Sequence, residues 1–122
     1  MSIKEIIPDD NNLHRRIHDK CYDALSGKCT EGAFLLREKE DYLSANWAEK
    51  TDLKTSAIDL NSGKVFKVVG VEVKIPRNLQ LSVEHMPSQN NFSHSGVLGD
   101  SLHDDVQIII ASKLAEKSKI LK

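Results

Sequence analysis

Two histidines and an asparagine stand within ten positions of one another, as His85, Asn91 and His94. Two imidazoles that meet in a cleft can act as general acid and general base in phosphodiester or acyl chemistry, and a nearby amide can orient one ring. The contexts of the two histidines differ, so they match no repeated H-x-T pattern. We therefore take His85, Asn91 and His94 as candidate catalytic residues, with a polar strand end of purely structural role as the alternative.

The residues before this segment predict where its first histidine points. The run 79–85 alternates between apolar and polar residues, as a half-buried strand does. Successive side chains of a strand face opposite sides, so His85 should share the core face with the apolar residues before it. Pro87 has no N–H to donate to a sheet, so the strand should stop just beyond His85. The placement of His94 relative to His85 then decides whether this corner is a site.

Two cysteines and two further histidines raise the question of a metal site. His14, His18, Cys21 and Cys29 spell H-x3-H-x2-C-x7-C, and the first three would share one face of a helix. Imidazole and thiolate groups suit zinc, but this pattern lacks the closely spaced C-x2-C pair of structural zinc sites. We therefore predict no metal here, with Cys21 buried and His14 exposed instead. The sequence identifies no cofactor.

Composition and charge describe a small soluble domain without a strong electrostatic field. The 122 residues include 17 basic and 18 acidic side chains, for a net charge of −1. Nucleic-acid-binding proteins usually carry a basic excess or stripe, so the charge gives that role no support. Neither a signal peptide nor an apolar run of membrane-spanning length is visible. We predict one globular domain over 1–122, cytoplasmic, with no membrane association and with reduced cysteines.

The distribution of elements predicts the α+β class, with a small antiparallel sheet. Residues 65–75 place valines and an isoleucine at alternate positions, residues 76–78 are turn-like, and 79–85 alternates again. The sequence therefore predicts a β-hairpin over about 65–85. A C-terminal amphipathic helix over about 102–120 should pack against this sheet. Its start is indicated by Ser101 and Asp104, and its predicted inward positions include Val106, Ile109, Ile110, Leu114 and Leu121.

The first half of the chain is less regular. Residues 13–25 fit either a helix or a short strand, and their spacing does not decide between the two. Residues 42–47 alternate as a half-buried strand with a buried Trp47. A helix is predicted over 50–62, with Thr51 or Asp52 as its N-cap. Its inward-facing residues would be Leu53, Ala57 and Leu60.

Four short pieces resemble parts of small bacterial hypothetical proteins with no established activity. They are Leu13–Ile17, Gly32–Phe34, the Leu-Ser-x-x-Trp piece at 43–47, and His85-x-Pro87-x3-Asn91-x2-His94. The resemblance implies a bacterial, cytosolic protein from an accessory gene cluster such as a defence or toxin system. It assigns no catalytic residue.

Two functions follow, and the sequence leaves open whether the protein is an enzyme. The first is a non-enzymatic interaction or accessory protein that binds another protein or itself. It rests on the few aromatic residues, the near-zero net charge, which lowers the barrier to association, and the lack of a complete catalytic set. The second is a small His-dependent hydrolase or nuclease that uses His85 and His94, with Asn91 in a positioning role.

Overall fold

A computed structural model describes residues 4–59 and 61–121, and within them the chain forms eight strands and three α-helices. The strands are β1 (Asn12–Ile17), β2 (Tyr22–Asp23), β3 (Lys28–Cys29), β4 (Leu43–Trp47), β5 (Lys67–Glu72), β6 (Ser82–His85), β7 (His94–Leu98) and β8 (Lys119–Ile120). The helices are α1 (Leu53–Ala57), α2 (Lys74–Asn78) and α3 (Gln107–Lys117). Six strands form one antiparallel sheet in the order β6-β7-β4-β1-β5-β8, and β2 pairs with β3. The predicted α+β class with an antiparallel sheet and a C-terminal helix is confirmed.

The hydrophobic core lies on one face of the large sheet. Side chains at alternate positions of each strand meet there, beneath α2, α3 and a 3-10 turn at Glu31–Phe34. The opposite face is covered by α1 only over β1 and β5, where Ala57 and Val68 are buried. Over β7 the side chains of Tyr42 and Met86 cover the second face, against Gly96. The core residues from the strands are Leu13, Ile17, Leu43, Ala45, Trp47, Val69, Val71, Val83 and Val97.

The ambiguous segment after residue 12 is a strand. β1 pairs with β5 along its whole length, from Asn12 opposite Glu72 to Ile17 opposite Lys67. Pairing with a distant partner settles a choice that local spacing leaves open. The predicted strand before Trp47 is confirmed as β4, and the indole is 4% exposed.

The predicted β-hairpin over 65–85 is wrong. β5 pairs with β1 and β8, whereas β6 pairs with β7, so three other strands lie between β5 and β6. The residues assigned to the end of the first strand and to the turn form α2 instead. Pro76 is tolerated because it lies in the first turn of α2, where its missing N–H would have no helical partner. The apolar residues Val73 and Ile75 suit a short helix as well as a strand.

The C-terminal helix is shorter than predicted, and only part of its predicted inward set faces the core. Leu114 is buried and Ile110 packs against the core as predicted, whereas Val106 and Leu121 are each 41% exposed. The helix runs as α3 from Gln107, after a 3-10 turn at Asp100–Leu102 that contains Ser101. Its buried residues are Ala111, Leu114 and Ala115, whereas Ile109 is 56% exposed. Ala111 and Ala115 belong to the same core cluster as Phe34, so this face of the helix packs against the turn at Glu31–Phe34. Neither α3 nor any other helix in the described part of the chain is long and apolar enough to cross a membrane.

The helix predicted over 50–62 is reduced to the five residues of α1. Asp52 is its N-cap, because the Asp52 carboxylate accepts a hydrogen bond from the Thr55 N–H at 2.6 Å. Ala57 faces inward as predicted and is fully buried. Leu60, also predicted to face inward, lies outside the described residues.

Candidate functional site

His85 is a buried structural residue, with both ring nitrogens hydrogen-bonded. Its side chain is 0% exposed, as its predicted position on the core face implies. Nδ1 accepts from the Glu5 N–H at 3.0 Å, and Nε2 donates to the Phe92 carbonyl oxygen at 2.6 Å. The rings of Trp47 and Phe92 pack edge-on against it, at centroid distances of 5.2 and 4.7 Å. The imidazole is therefore held as one neutral tautomer, with no nitrogen left to contact a substrate.

Asn91 orders the loop between β6 and β7. Its side-chain oxygen accepts from the Ser93 N–H at 3.1 Å and from the Ser93 hydroxyl at 2.6 Å. Its side-chain nitrogen donates to the Asn46 side-chain oxygen on β4, at 2.8 Å. The amide thus fastens this loop to the sheet and bonds neither histidine ring.

His94 does not meet His85. On the paired strands β6 and β7 it is Ser95 that lies opposite His85, so His94 points to the other face of the sheet. Its Nδ1–H donates to the Met86 carbonyl oxygen at 2.9 Å, and its ring lies edge-on to Tyr42. Nε2 has no hydrogen-bond partner among residues 4–59 and 61–121. The corner around Pro87 is therefore not a two-histidine pocket.

His94 instead lines a polar cleft that opens where β1 and β4 separate. These strands are in register only at Leu13 opposite Trp47 and His14 opposite Asn46, whereas β1 stays paired with β5 as far as Ile17. The cleft has a volume of about 230 Å³. Its polar lining residues are Arg15, Arg16, His18, Arg37, Glu40, Ser44, Asn46, Asp59, Asn91 and His94.

Arg15 spans the gap where the pairing of β1 with β4 ends. Its Nη1 donates to the Ser44 carbonyl oxygen at 2.6 Å, and its Nε donates to the Ala33 carbonyl oxygen at 2.7 Å. The guanidinium also lies 5.8 Å from the centre of the Phe34 ring. Burial lowers the pKa of Arg15 to about 10, which still leaves it charged at neutral pH. Neutral carbonyls hold this cation, so its charge persists at the cleft.

Two more arginines reach the cleft without a carboxylate partner. Arg16 donates from Nη1 to the Ile58 carbonyl oxygen at 2.6 Å. The Glu40 carboxylate accepts from the backbone N–H of Arg37, not from its guanidinium. Within the described ranges no carboxylate oxygen lies within 4.0 Å of a guanidinium nitrogen of Arg15, Arg16 or Arg37. Among the described residues, the cleft therefore gathers three guanidinium groups that form no close ion pair.

His18 lines the same cleft from the end of β1. Its Nδ1 accepts from the Lys20 N–H at 3.3 Å and caps the 3-10 turn that follows. Its Nε2, like that of His94, has no hydrogen-bond partner within the described ranges. Sequence reasoning missed this cleft, although the adjacent pair Arg15-Arg16 was a visible signal of charge. Nothing in the sequence shows that β1 and β4 diverge beside that pair.

The four metal candidates do not converge. His14 is partly buried, not exposed as predicted, and its Nδ1 lies 3.0 Å from the Ser56 hydroxyl of α1. The Cys29 thiol is buried 3.1 Å from the Ser118 hydroxyl, and burial raises its pKa. Cys21 is only partly buried. A strand in place of the hypothetical helix removes the shared face, and the described residues contain no cluster of three or more possible metal ligands.

Comparison of this chain with protein-family models, with curated proteins and with solved structures finds no match in any of the three.

Proposed function

We propose that this protein is a small non-enzymatic interaction protein that binds another protein at the cleft between β1 and β4. The observation that carries the proposal is a set of three guanidinium groups at an open polar concavity, none of them in a close ion pair with a carboxylate of the described residues. Arginine is favoured at interfaces because its planar fork forms paired hydrogen bonds with a partner's acceptors. The cleft therefore offers directional donors to a bound surface.

The state of His85 favours binding over catalysis. A general acid or base must reach the proton it transfers, and both nitrogens of this ring already bond the backbone inside the core. His85 therefore cannot act with His94 as the acid–base pair that the sequence suggested.

Exposed apolar residues at the start of α3 also support an interaction role. Val106, Ile108 and Ile109 are each more than two-fifths exposed and follow one another along this short segment. Apolar side chains grouped on a surface favour association. The bacterial accessory cluster implied by the four short sequence pieces fits such a role, and the neighbouring genes would supply partners to test.

Affinity capture with a matched pair of variants tests the proposal. The cleft variant is Arg16→Glu with Arg37→Glu, and the control variant is Lys28→Glu with Lys113→Glu, which changes the charge equally at exposed positions outside the cleft. The proteins encoded by genes next to the gene of this chain are incubated with each tagged variant, and the bound proteins are identified. We expect the wild-type and control proteins to retain a partner that the cleft variant loses. Equal retention by both variants, or a monomer in light scattering that retains nothing, would refute the proposal.

A His-dependent hydrolase or nuclease is the second candidate, with His18 in the place that the sequence suggested for His85. The observation that favours it is that the Nε2 atoms of His18 and His94 both line one cationic cleft and bond nothing in the part of the chain that the structure describes. Fluorogenic phosphodiester and ester substrates and single-stranded RNA would be incubated with wild type, His18→Ala, His94→Ala and the control His103→Ala. Turnover that both cleft variants lose and the control keeps would establish the enzyme. If the protein is a non-enzymatic interaction protein, none of these substrates is turned over.

A further inference from the structure

We infer that the cleft between β1 and β4 is an oxyanion site, which holds a carboxylate or phosphate group with Arg16 and Arg37 at its rim and Arg15 at its base. This inference rests on the proposed function, because it takes the cleft as the binding surface and names the chemistry that the surface recognises.

The charges of the lining residues favour an anion. Three guanidinium groups face two carboxylates, and both carboxylates are engaged in local turns. Glu40 accepts from the Arg37 N–H at 2.6 Å, and Asp59 accepts from the Asn61 N–H at 2.9 Å. Neither carboxylate lies within 4.0 Å of a lining guanidinium nitrogen. Glu40 still interacts electrostatically with Arg15, and Asp59 does so with Arg16. Three guanidinium groups against two carboxylates leave the lining with a net charge of +1, which favours an anion.

Several hydrogen-bond donors of the cleft also have no acceptor within the described chain. Within the described ranges, Arg15 donates from Nε and Nη1 to carbonyls and leaves Nη2 unbonded, whereas Arg16 donates from Nη1 alone. Asn46 accepts from Asn91 through its side-chain oxygen, which leaves its NH2 group without a protein partner in the described chain. Two carbonyls that could have attracted a cation, those of Ser44 and Ile58, already accept from arginines. The Asn46 NH2 group and the unused guanidinium nitrogens of Arg15 and Arg16 thus remain as donors, and donors recognise oxyanions.

The base of the site is preorganised. Two hydrogen bonds and the Phe34 ring hold the Arg15 guanidinium before any ligand arrives. A fixed donor loses little side-chain entropy on binding, which strengthens the interaction.

NMR titration of the full 15N-labelled chain tests the inference. Inorganic phosphate and acetate are added separately, and sodium chloride at matched ionic strength is the control. We expect saturable shifts of the Ser44, Asn46 and His94 amides that chloride does not reproduce. Saturation by phosphate alone assigns a phosphate ligand, and saturation by acetate assigns a carboxylate. Arg16→Gln with Arg37→Gln should weaken binding about tenfold or more, whereas Lys28→Gln with Lys113→Gln should leave it unchanged.

Two outcomes overturn the inference. One is the absence of saturable shifts with both anions, and the other is equal affinity in the two double variants. Arg37→Gln alone, at an exposed position, replaces the cleft variant if that protein fails to fold. Partner capture that depends on the cleft without oxyanion binding would leave the proposed function standing and refute the site. Oxyanion binding accompanied by phosphoester turnover would keep the site and refute the non-enzymatic function.

Discussion

Replacement of His85 by phenylalanine tests the structural role of this ring. The substitution keeps an aromatic ring between Trp47 and Phe92 but removes the hydrogen bonds to the Glu5 N–H and the Phe92 carbonyl. A hydrogen bond contributes about 0.5–1.5 kcal/mol net, so His85→Phe should lower the free energy of unfolding by about 1–3 kcal/mol. His85→Ala also removes the buried ring and leaves a cavity, for a loss of about 3–5 kcal/mol.

Urea unfolding followed by tryptophan fluorescence measures these losses. Trp47 is the only tryptophan of the chain, and its ring centre lies 5.2 Å from that of His85, so the signal reports on this part of the core. We expect unfolding midpoints in the order wild type, His85→Phe, His85→Ala, with similar denaturant slopes. The exposed His103 supplies the control, since His103→Ala should change the stability by less than about 0.5 kcal/mol.

Two results would refute this reasoning. Wild-type stability in His85→Phe would show that the two hydrogen bonds contribute nothing. A variant of unchanged stability that loses partner binding or activity would show that the ring acts on a ligand and not on the fold.

Three further substitutions probe the site and its supports. Asn91→Ala removes three hydrogen bonds of the loop before β7 and should cost about 1.5–4.5 kcal/mol in urea unfolding. Burial lowers the pKa of His14 from 6.5, so the unfolded chain takes up this proton at a higher pH than the folded chain does. The stability of the wild type should therefore decrease below pH 6.5 by more than that of His14→Gln, as measured by unfolding at pH 7.5, 6.0 and 5.0. Gly96→Ala would place Cβ 2.8 Å from Tyr42 and 2.9 Å from Met86, and it should cost about 1–3 kcal/mol in thermal unfolding.

Each of these expectations has its own contrary result. Asn90→Ala, at an exposed neighbouring position, is the control for Asn91→Ala, and equal stabilities of the two variants would show that the amide bonds do not hold the loop. Parallel pH profiles of wild type and His14→Gln would show that His14 takes up its proton equally in both states. An unchanged melting temperature in Gly96→Ala would show that the side chains above β7 move aside freely.

Local patterns in the sequence were sufficient for part of the fold. Alternation located β4 and β6 and placed His85 on the core face, because the faces of a strand are set by adjacent residues. β6 ends at His85 two residues before Pro87, whose ring cannot continue a ladder. The amphipathic pattern found α3, but it selected Ile109 for the core. The closer packing of small side chains such as Ala111 against a distant turn decided otherwise.

Strand partners and the candidate site were decided by the tertiary structure. Whether β5 pairs with β6 or with β1 depends on residues far apart in the chain, and the run between β5 and β6 suits a helix as well as a turn. The sequence by itself determined that Arg15 and Arg16 are adjacent cations and that His94 follows a loop. Only the divergence of β1 from β4 brings these residues to one cleft. A gap between two strands depends on how both segments pair, so neither segment's sequence predicts it by itself.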